Sequence, residues 1–135
     1  MNLNMNMPQV FGHIALFFFV LANVYTPAKW MTKQFPENSA IKKSLADFLP
    51  VHIKFNILAL IFTIFHMLTE YTGNLLLYLS MVMMLWLTMG GFMMRTQFQV
   101  PGALRQHARK VHAQLLIFWI LIGLLIVGHG VIMWW

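Results

Sequence analysis

The sequence contains no cysteine among its 135 residues. This absence excludes disulfides, zinc–thiolate sites and iron–sulfur clusters ligated by this chain. Charged residues are scarce as well, at 9% of the chain, whereas a typical soluble domain has about 25%. Hydrophobic residues make up 60% of the sequence. A chain this apolar and this poor in charge is predicted to be an integral membrane protein.

The net charge of +6 does not indicate a nucleic-acid partner, because the basic residues lie beside apolar segments in two places. Positive charge beside spans is typical of the cytoplasmic side, and some of it can contact anionic lipid headgroups. The first ten residues, MNLNMNMPQV, contain no Lys or Arg. They lack the basic region of a cleavable signal peptide, so the first apolar run is expected to be a retained span.

Four apolar runs are each long enough, at about 20 residues, to cross a bilayer. They cover residues 10–25, 51–70, 75–94 and 111–135. We therefore expect an all-α fold, an integral membrane four-helix bundle that forms a single transmembrane domain over residues 1–135. Both basic loops then lie on the cytoplasmic side, and the N- and C-termini lie on the outer side. A bacterial or archaeal cytoplasmic membrane is the expected location.

The two long loops each contain a helix signal. Pro27 is expected to close span one, and residues 26–50 to form a loop with a short amphipathic helix on the membrane surface. Asn38 or Ser39 would be its N-cap, and an irregular loop is the alternative. Its apolar side would be formed by Ile41, Leu45 and Phe48. In the second loop, Pro101-Gly102 is expected to start a helix that continues into span four.

Span two carries a histidine near each end. His52 and His66 are 14 residues apart, and at about 100° per residue this places both imidazoles on one face of a helix. Asn56 and Thr63 fall on the same face. Because an unpartnered polar group in hydrocarbon costs several kcal/mol, this polar stripe is expected to face the protein interior.

Span four repeats this pattern with His112 and His129, which are 17 residues apart and are also predicted to share one helical face. Spans two and four run in the same direction, so His52 and His112 lie near the cytoplasmic side and His66 and His129 near the outer side. Two imidazoles at each of two levels can hold two haem b groups. The alternative is that these histidines are packing or hydrogen-bonding residues.

Other residues have predicted roles in this site. Ala59 and Gly123 leave room for flat macrocycles, and Asn56 and Thr63 can hydrogen-bond haem propionates or the imidazoles. His13, on span one, is a possible alternative ligand at the outer level. It can also bond a propionate or line a quinone pocket. Glu70 is a candidate quinone or proton site at the outer end of span two, or simply an interfacial carboxylate.

With these residues, the chain resembles the di-haem membrane cytochromes b. The cytochrome b subunit of quinol–cytochrome c oxidoreductases also uses paired histidines on two helices of a four-helix core. The resemblance lies in the architecture and in the thirteen residues between His52 and His66, a spacing that the second pair does not share. A weaker analogy links VHIKFNILALIFTIFH to the CopD-like and HemJ-like small membrane proteins.

These features predict an electron-transfer membrane subunit of a quinone-linked redox complex rather than a stand-alone enzyme. The chain has no domain for a flavin or nicotinamide, so partner redox subunits would supply any chemistry beyond quinone. The alternatives are a non-redox accessory subunit and a porphyrin-handling HemJ-like protein. Copper binding by the methionines of span three is less favoured, because they form no periodic one-face motif.

Overall fold

The computed structural model describes residues 6–35, 39–70, 73–95, 101–112 and 114–133. The regular elements in these residues are α1 (Met7–Asn23), α2 (Tyr25–Gln34), α3 (Ser39–Thr69), α4 (Leu75–Arg95), α5 (Gly102–His112) and α6 (Leu115–Met133). The predicted all-α class is confirmed. The chain divides into two compact units, Met1–Thr69 and Glu70–Trp135. The single transmembrane domain stays a prediction.

Three helical stretches of the described residues are long and apolar enough to cross a membrane: Met7–Thr32, Ala40–Thr69 and Leu75–Arg95. The α5–α6 pair gives a fourth if it is one broken span. In each of the three stretches only 17% of the most apolar window is buried, so most side chains of these windows are at least partly accessible. A water-soluble fold would bury them. These helices therefore indicate a multi-pass integral membrane protein.

The first span is interrupted at Val24, three residues before Pro27, and does not end at this proline. Proline lacks an N–H, and its ring clashes with the carbonyl four residues earlier. For Pro27 that carbonyl belongs to Asn23, the last residue of α1. The chain then resumes as α2, with Pro27 in its first turn. The expectation that residues 26–50 form a loop is therefore wrong for the part that α2 covers.

The predicted amphipathic segment is helical, but it is not a separate surface helix. It is the first part of α3, which runs unbroken through Pro50 and packs against α1 and α2. The predicted amphipathic pattern is confirmed, because Ile41, Leu45 and Phe48 are half-buried whereas Lys42, Lys43 and Asp47 are exposed. The helix begins at Ser39, one of the two predicted N-caps, and Asn38 lies outside the described residues.

The start of α4 is fixed to α6 by Asn74. Its Oδ1 accepts a hydrogen bond from the Leu76 N–H at 2.9 Å, which caps the helix. Its Nδ2 donates to the carbonyl of Gly128 at 2.9 Å. Gly73, just before it, has a φ of 64°, a value that favours glycine. This geometry agrees with the turn predicted at residues 71–74, of which 71 and 72 lie outside the described residues.

Replacing Asn74 by alanine is expected to destabilise the protein by about 1–3 kcal/mol, because it removes both the cap and the bond to α6. SDS titration of the detergent-solubilised protein, followed by tryptophan fluorescence, measures this loss. Asn74→Asp is the matched control, since a carboxylate keeps the cap acceptor but cannot donate to Gly128. If Asn74→Asp is as stable as the wild-type protein, the bond to Gly128 contributes nothing.

Candidate functional site

His52 lies near the middle of α3 and is 8% exposed. Its Nδ1 lies 2.7 Å from the carbonyl oxygen of Ala22, near the end of α1. The Tyr25 ring lies 4.7 Å from the imidazole, measured between ring centroids. The Nδ2 atom of Asn56 lies 3.3 Å from each imidazole nitrogen. The same Nδ2 atom also donates to the main-chain carbonyl of His52 at 3.0 Å.

His66, near the other end of α3, also contacts α1. Its Nδ1 lies 2.9 Å from the carbonyl oxygen of Pro8, and its ring lies against Gly12, where a Cβ would be 3.2 Å from both Cε1 and Nδ1. His52 contacts the end of α1 and His66 its beginning, so α1 and α3 are antiparallel. The prediction that both imidazoles point from one face into the protein is confirmed.

Five phenylalanine rings fill the α1–α3 interface between the two histidine contacts. They are Phe11, Phe18, Phe55, Phe62 and Phe65, with ring centroids 5.5 to 6.3 Å apart across the interface. The sequence signal for this cluster is the seven-residue spacing of Phe11 with Phe18 and of Phe55 with Phe62. That spacing places each pair on one helical face, but a single apolar run offers many such pairs.

The remaining stripe residues of α3 have simpler environments. Ala59 is fully buried, and the Thr63 hydroxyl donates to its carbonyl at 2.8 Å within the helix. Such a bond to the preceding turn is the usual one for a threonine inside an apolar helix. Glu70 follows the last residue of α3 and is exposed.

In the second unit, the imidazole of His112 contacts α4. Its Nδ1 lies 2.9 Å from the carbonyl oxygen of Leu87, and a Cβ at Gly91 would lie 3.1 Å from its Cε1. His129, by contrast, is exposed on α6, and its Nδ1 contacts the carbonyl of Leu125 in its own helix at 2.8 Å.

His112 and His129 do not lie on one helix, so the prediction of a shared helical face is wrong. The helix from Gly102 ends at His112, where the Gln114 N–H bonds the Val111 carbonyl in a tighter, three-residue turn. The next helix is bent from it by 59°. The physical reason is the composition: α5 is amphipathic and basic, whereas α6 is apolar throughout and suited to crossing a membrane.

Two further predicted positions are exposed. His13 lies next to Gly12 in α1, so it is at the same end of its unit as His66, and its Nδ1 contacts the Gln9 carbonyl at 2.6 Å. Gly123 is exposed in α6, with no atom within 4 Å of where its Cβ would stand. In the part of the chain that the structure describes, no three His, Cys, Asp or Glu side chains form a metal-binding group.

One property is common to the histidines whose contacts are given above. In each, Nδ1 lies within hydrogen-bonding distance of a main-chain carbonyl, which can only accept. Nδ1 must therefore carry the proton in the neutral imidazole, and Nε2 carries the lone pair. This is the tautomer in which an imidazole binds a metal through Nε2. The residues are His13, His52, His66, His112 and His129.

No family model, curated protein or solved structure matches this chain. The resemblance to the membrane cytochromes b and the analogy to CopD-like and HemJ-like proteins therefore stay predictions from the histidine pattern.

Proposed function

We propose that the protein is a b-type cytochrome that carries electrons across a membrane through two haems. The observation that carries this proposal is the common imidazole tautomer, with Nδ1–H bonded to a carbonyl and the lone pair on Nε2. Hydrogen bonding at Nδ1 orients the ring and raises the basicity of the ligating nitrogen. The proposed iron ligands are His52, His66, His112 and His129.

The donor set fits the chemistry of a bis-imidazole haem. A haem held in this way supplies one-electron transfer when it is bound. In unit one, the protein orients two of the four imidazoles through bonds that cross between helices, so their positions depend on the packing of α1 against α3.

The charges of the chain support an orientation of the protein in the membrane and a site for a quinol. The described side chains of Lys42, Lys43, Arg105, Arg109 and Lys110 are exposed, and positive charge beside spans favours the cytoplasmic side of a bacterial or archaeal membrane. The N- and C-termini then lie outside. Glu70 would accept a proton from a quinol at that outer end. Partner redox subunits would dock on the exposed faces.

A non-redox accessory subunit is the second candidate, and the surroundings of His52 favour it. Because Nδ1 donates to Ala22, Nε2 is the ring nitrogen that can accept from the Asn56 amide, 3.3 Å away, and this amide also donates to the His52 carbonyl at 3.0 Å. A buried histidine with both ring nitrogens bonded and an aromatic ring beside it also satisfies the requirements of a packing residue. Iron binding at Nε2 requires the Asn56 side chain to turn away.

The two candidates differ in colour and in haem content. Protein purified in mild detergent is expected to give a reduced-minus-oxidised b-type spectrum, and the pyridine haemochrome is expected to report about two haems per chain. The measurement needs membranes from cells with an adequate haem supply, and circular dichroism confirms that the sample is helical. A folded preparation without haem would rule out the cytochrome and leave the accessory subunit.

A further inference from the structure

We infer that Gly12 and Gly91 are positioning residues that seat the imidazoles of His66 and His112, an inference that rests on the proposed haem function. The two units contain the same local geometry. In each, the histidine Nδ1–H bonds the carbonyl of the residue four positions before a glycine, and the ring lies against that glycine. The pairs are Pro8 with Gly12 and Leu87 with Gly91.

The spacing of four residues explains why glycine is needed. Residues four apart lie one above the other on the same face of a helix. An imidazole that reaches the carbonyl of the first must therefore lie where the side chain of the second would stand. A Cβ at Gly12 would be 3.2 Å from Cε1 and Nδ1 of His66, and one at Gly91 would be 3.1 Å from Cε1 of His112. Either contact would push the ring away by a few tenths of an ångström.

The other two proposed ligands do not show this contact with a glycine. His52 bonds the carbonyl of Ala22, two residues before the interruption between α1 and α2. His129 bonds a carbonyl of its own helix. Two of the four proposed ligands, His66 and His112, thus lie against a glycine, one in each unit.

The test compares Gly91→Ala with Gly90→Ala. Both replacements put alanine for glycine at neighbouring positions of α4, but a Cβ at Gly90 has no atom within 4 Å. Redox titration and the EPR spectrum of the oxidised, low-spin protein report the orientation and bonding of the axial imidazoles. Gly91→Ala and Gly12→Ala are each expected to shift the midpoint potential and the EPR signal of the haem that their histidine binds. Gly90→Ala is expected to shift neither.

If haem is present and Gly91→Ala behaves as Gly90→Ala does, the positioning role of the glycine is refuted. The proposed cytochrome function is then unaffected. If the wild-type protein binds no haem, the proposed function fails and the role of the glycines as positioning residues for haem ligands fails with it. The two failures are thus distinguishable.

A measurement on the wild-type protein covers the case in which Gly91→Ala does not fold. Solid-state NMR of reduced protein labelled with ¹⁵N-histidine and ¹³Cα-glycine is expected to show a contact between a protonated imidazole Nδ1 and a glycine Cα that disappears in His112→Gln. This contact in the wild-type spectrum supports the positioning role of the glycine, and its absence refutes that role.

Discussion

Purified His52→Ala protein is expected to contain one haem fewer per chain than the wild-type protein. Alanine supplies no ligand, and an iron with a single imidazole loses half of its axial bonding to the protein. The variant also loses the hydrogen bond to Ala22 O, a loss of about 1 kcal/mol, and leaves a void between α1 and α3. We expect it to remain helical, because the phenylalanine cluster still joins these helices.

His52→Gln separates the iron-ligand role from the packing role. Glutamine can donate to the Ala22 carbonyl, so it is expected to recover much of the stability without recovering the haem. His112→Ala is likewise expected to lower the haem content of the purified protein. His107→Ala is the matched control, because His107 is exposed on α5. Two haems retained in His52→Ala would refute its assignment as a ligand.

Gly128→Leu is expected to disrupt the packing of α4 against α6. Even a Cβ at this position would lie 2.6 Å from Cδ2 of Leu77 and 3.4 Å from Cβ of Leu76. A full leucine side chain must therefore separate the two helices or displace both residues, and overpacking of this kind costs typically 1–3 kcal/mol or more. Separation of the helices would also break the bond from Asn74 to the Gly128 carbonyl.

The matched control for this prediction is Gly130→Leu, because a Cβ at Gly130 meets no atom within 4 Å. SDS unfolding followed by circular dichroism should give a much lower midpoint for Gly128→Leu and a nearly unchanged one for Gly130→Leu. In membrane proteins small residues allow helix backbones to approach closely, and Gly128 would be such a residue. Equal midpoints for the two variants would show that it is not.

The sequence predicts the helices well where an apolar run is bounded by clear signals. Span three was expected at residues 75–94 and is found as Leu75–Arg95, because a turn precedes it and an arginine ends it. The prolines were harder to interpret. Pro27 lies in the first turn of α2, where a missing N–H costs little. Pro50 lies inside α3, and the helix continues although an interior proline costs about 3 kcal/mol.

The candidate site was predicted only as far as periodicity allows. A rotation of about 100° per residue shows which residues share a face, and this placed His52 and His66 correctly on one side of α3. Periodicity does not show which helix covers that face. The acceptors on α1 and α4 are main-chain carbonyls, which every residue has, so no sequence pattern marks Pro8, Ala22 or Leu87. The role of Gly12 and Gly91 can be inferred only from the structure, in which the imidazoles lie against them.

The length of α3 separates its first lysines from the histidine near its middle. Its 31 residues extend over about 46 Å at about 1.5 Å per residue, whereas the hydrocarbon core of a bilayer is about 30 Å thick. An untilted helix of this length would leave about ten residues outside the hydrocarbon. Lys42 and Lys43 lie within the first five residues of α3, so one continuous helix, and not a loop, holds their charges at a constant distance from His52.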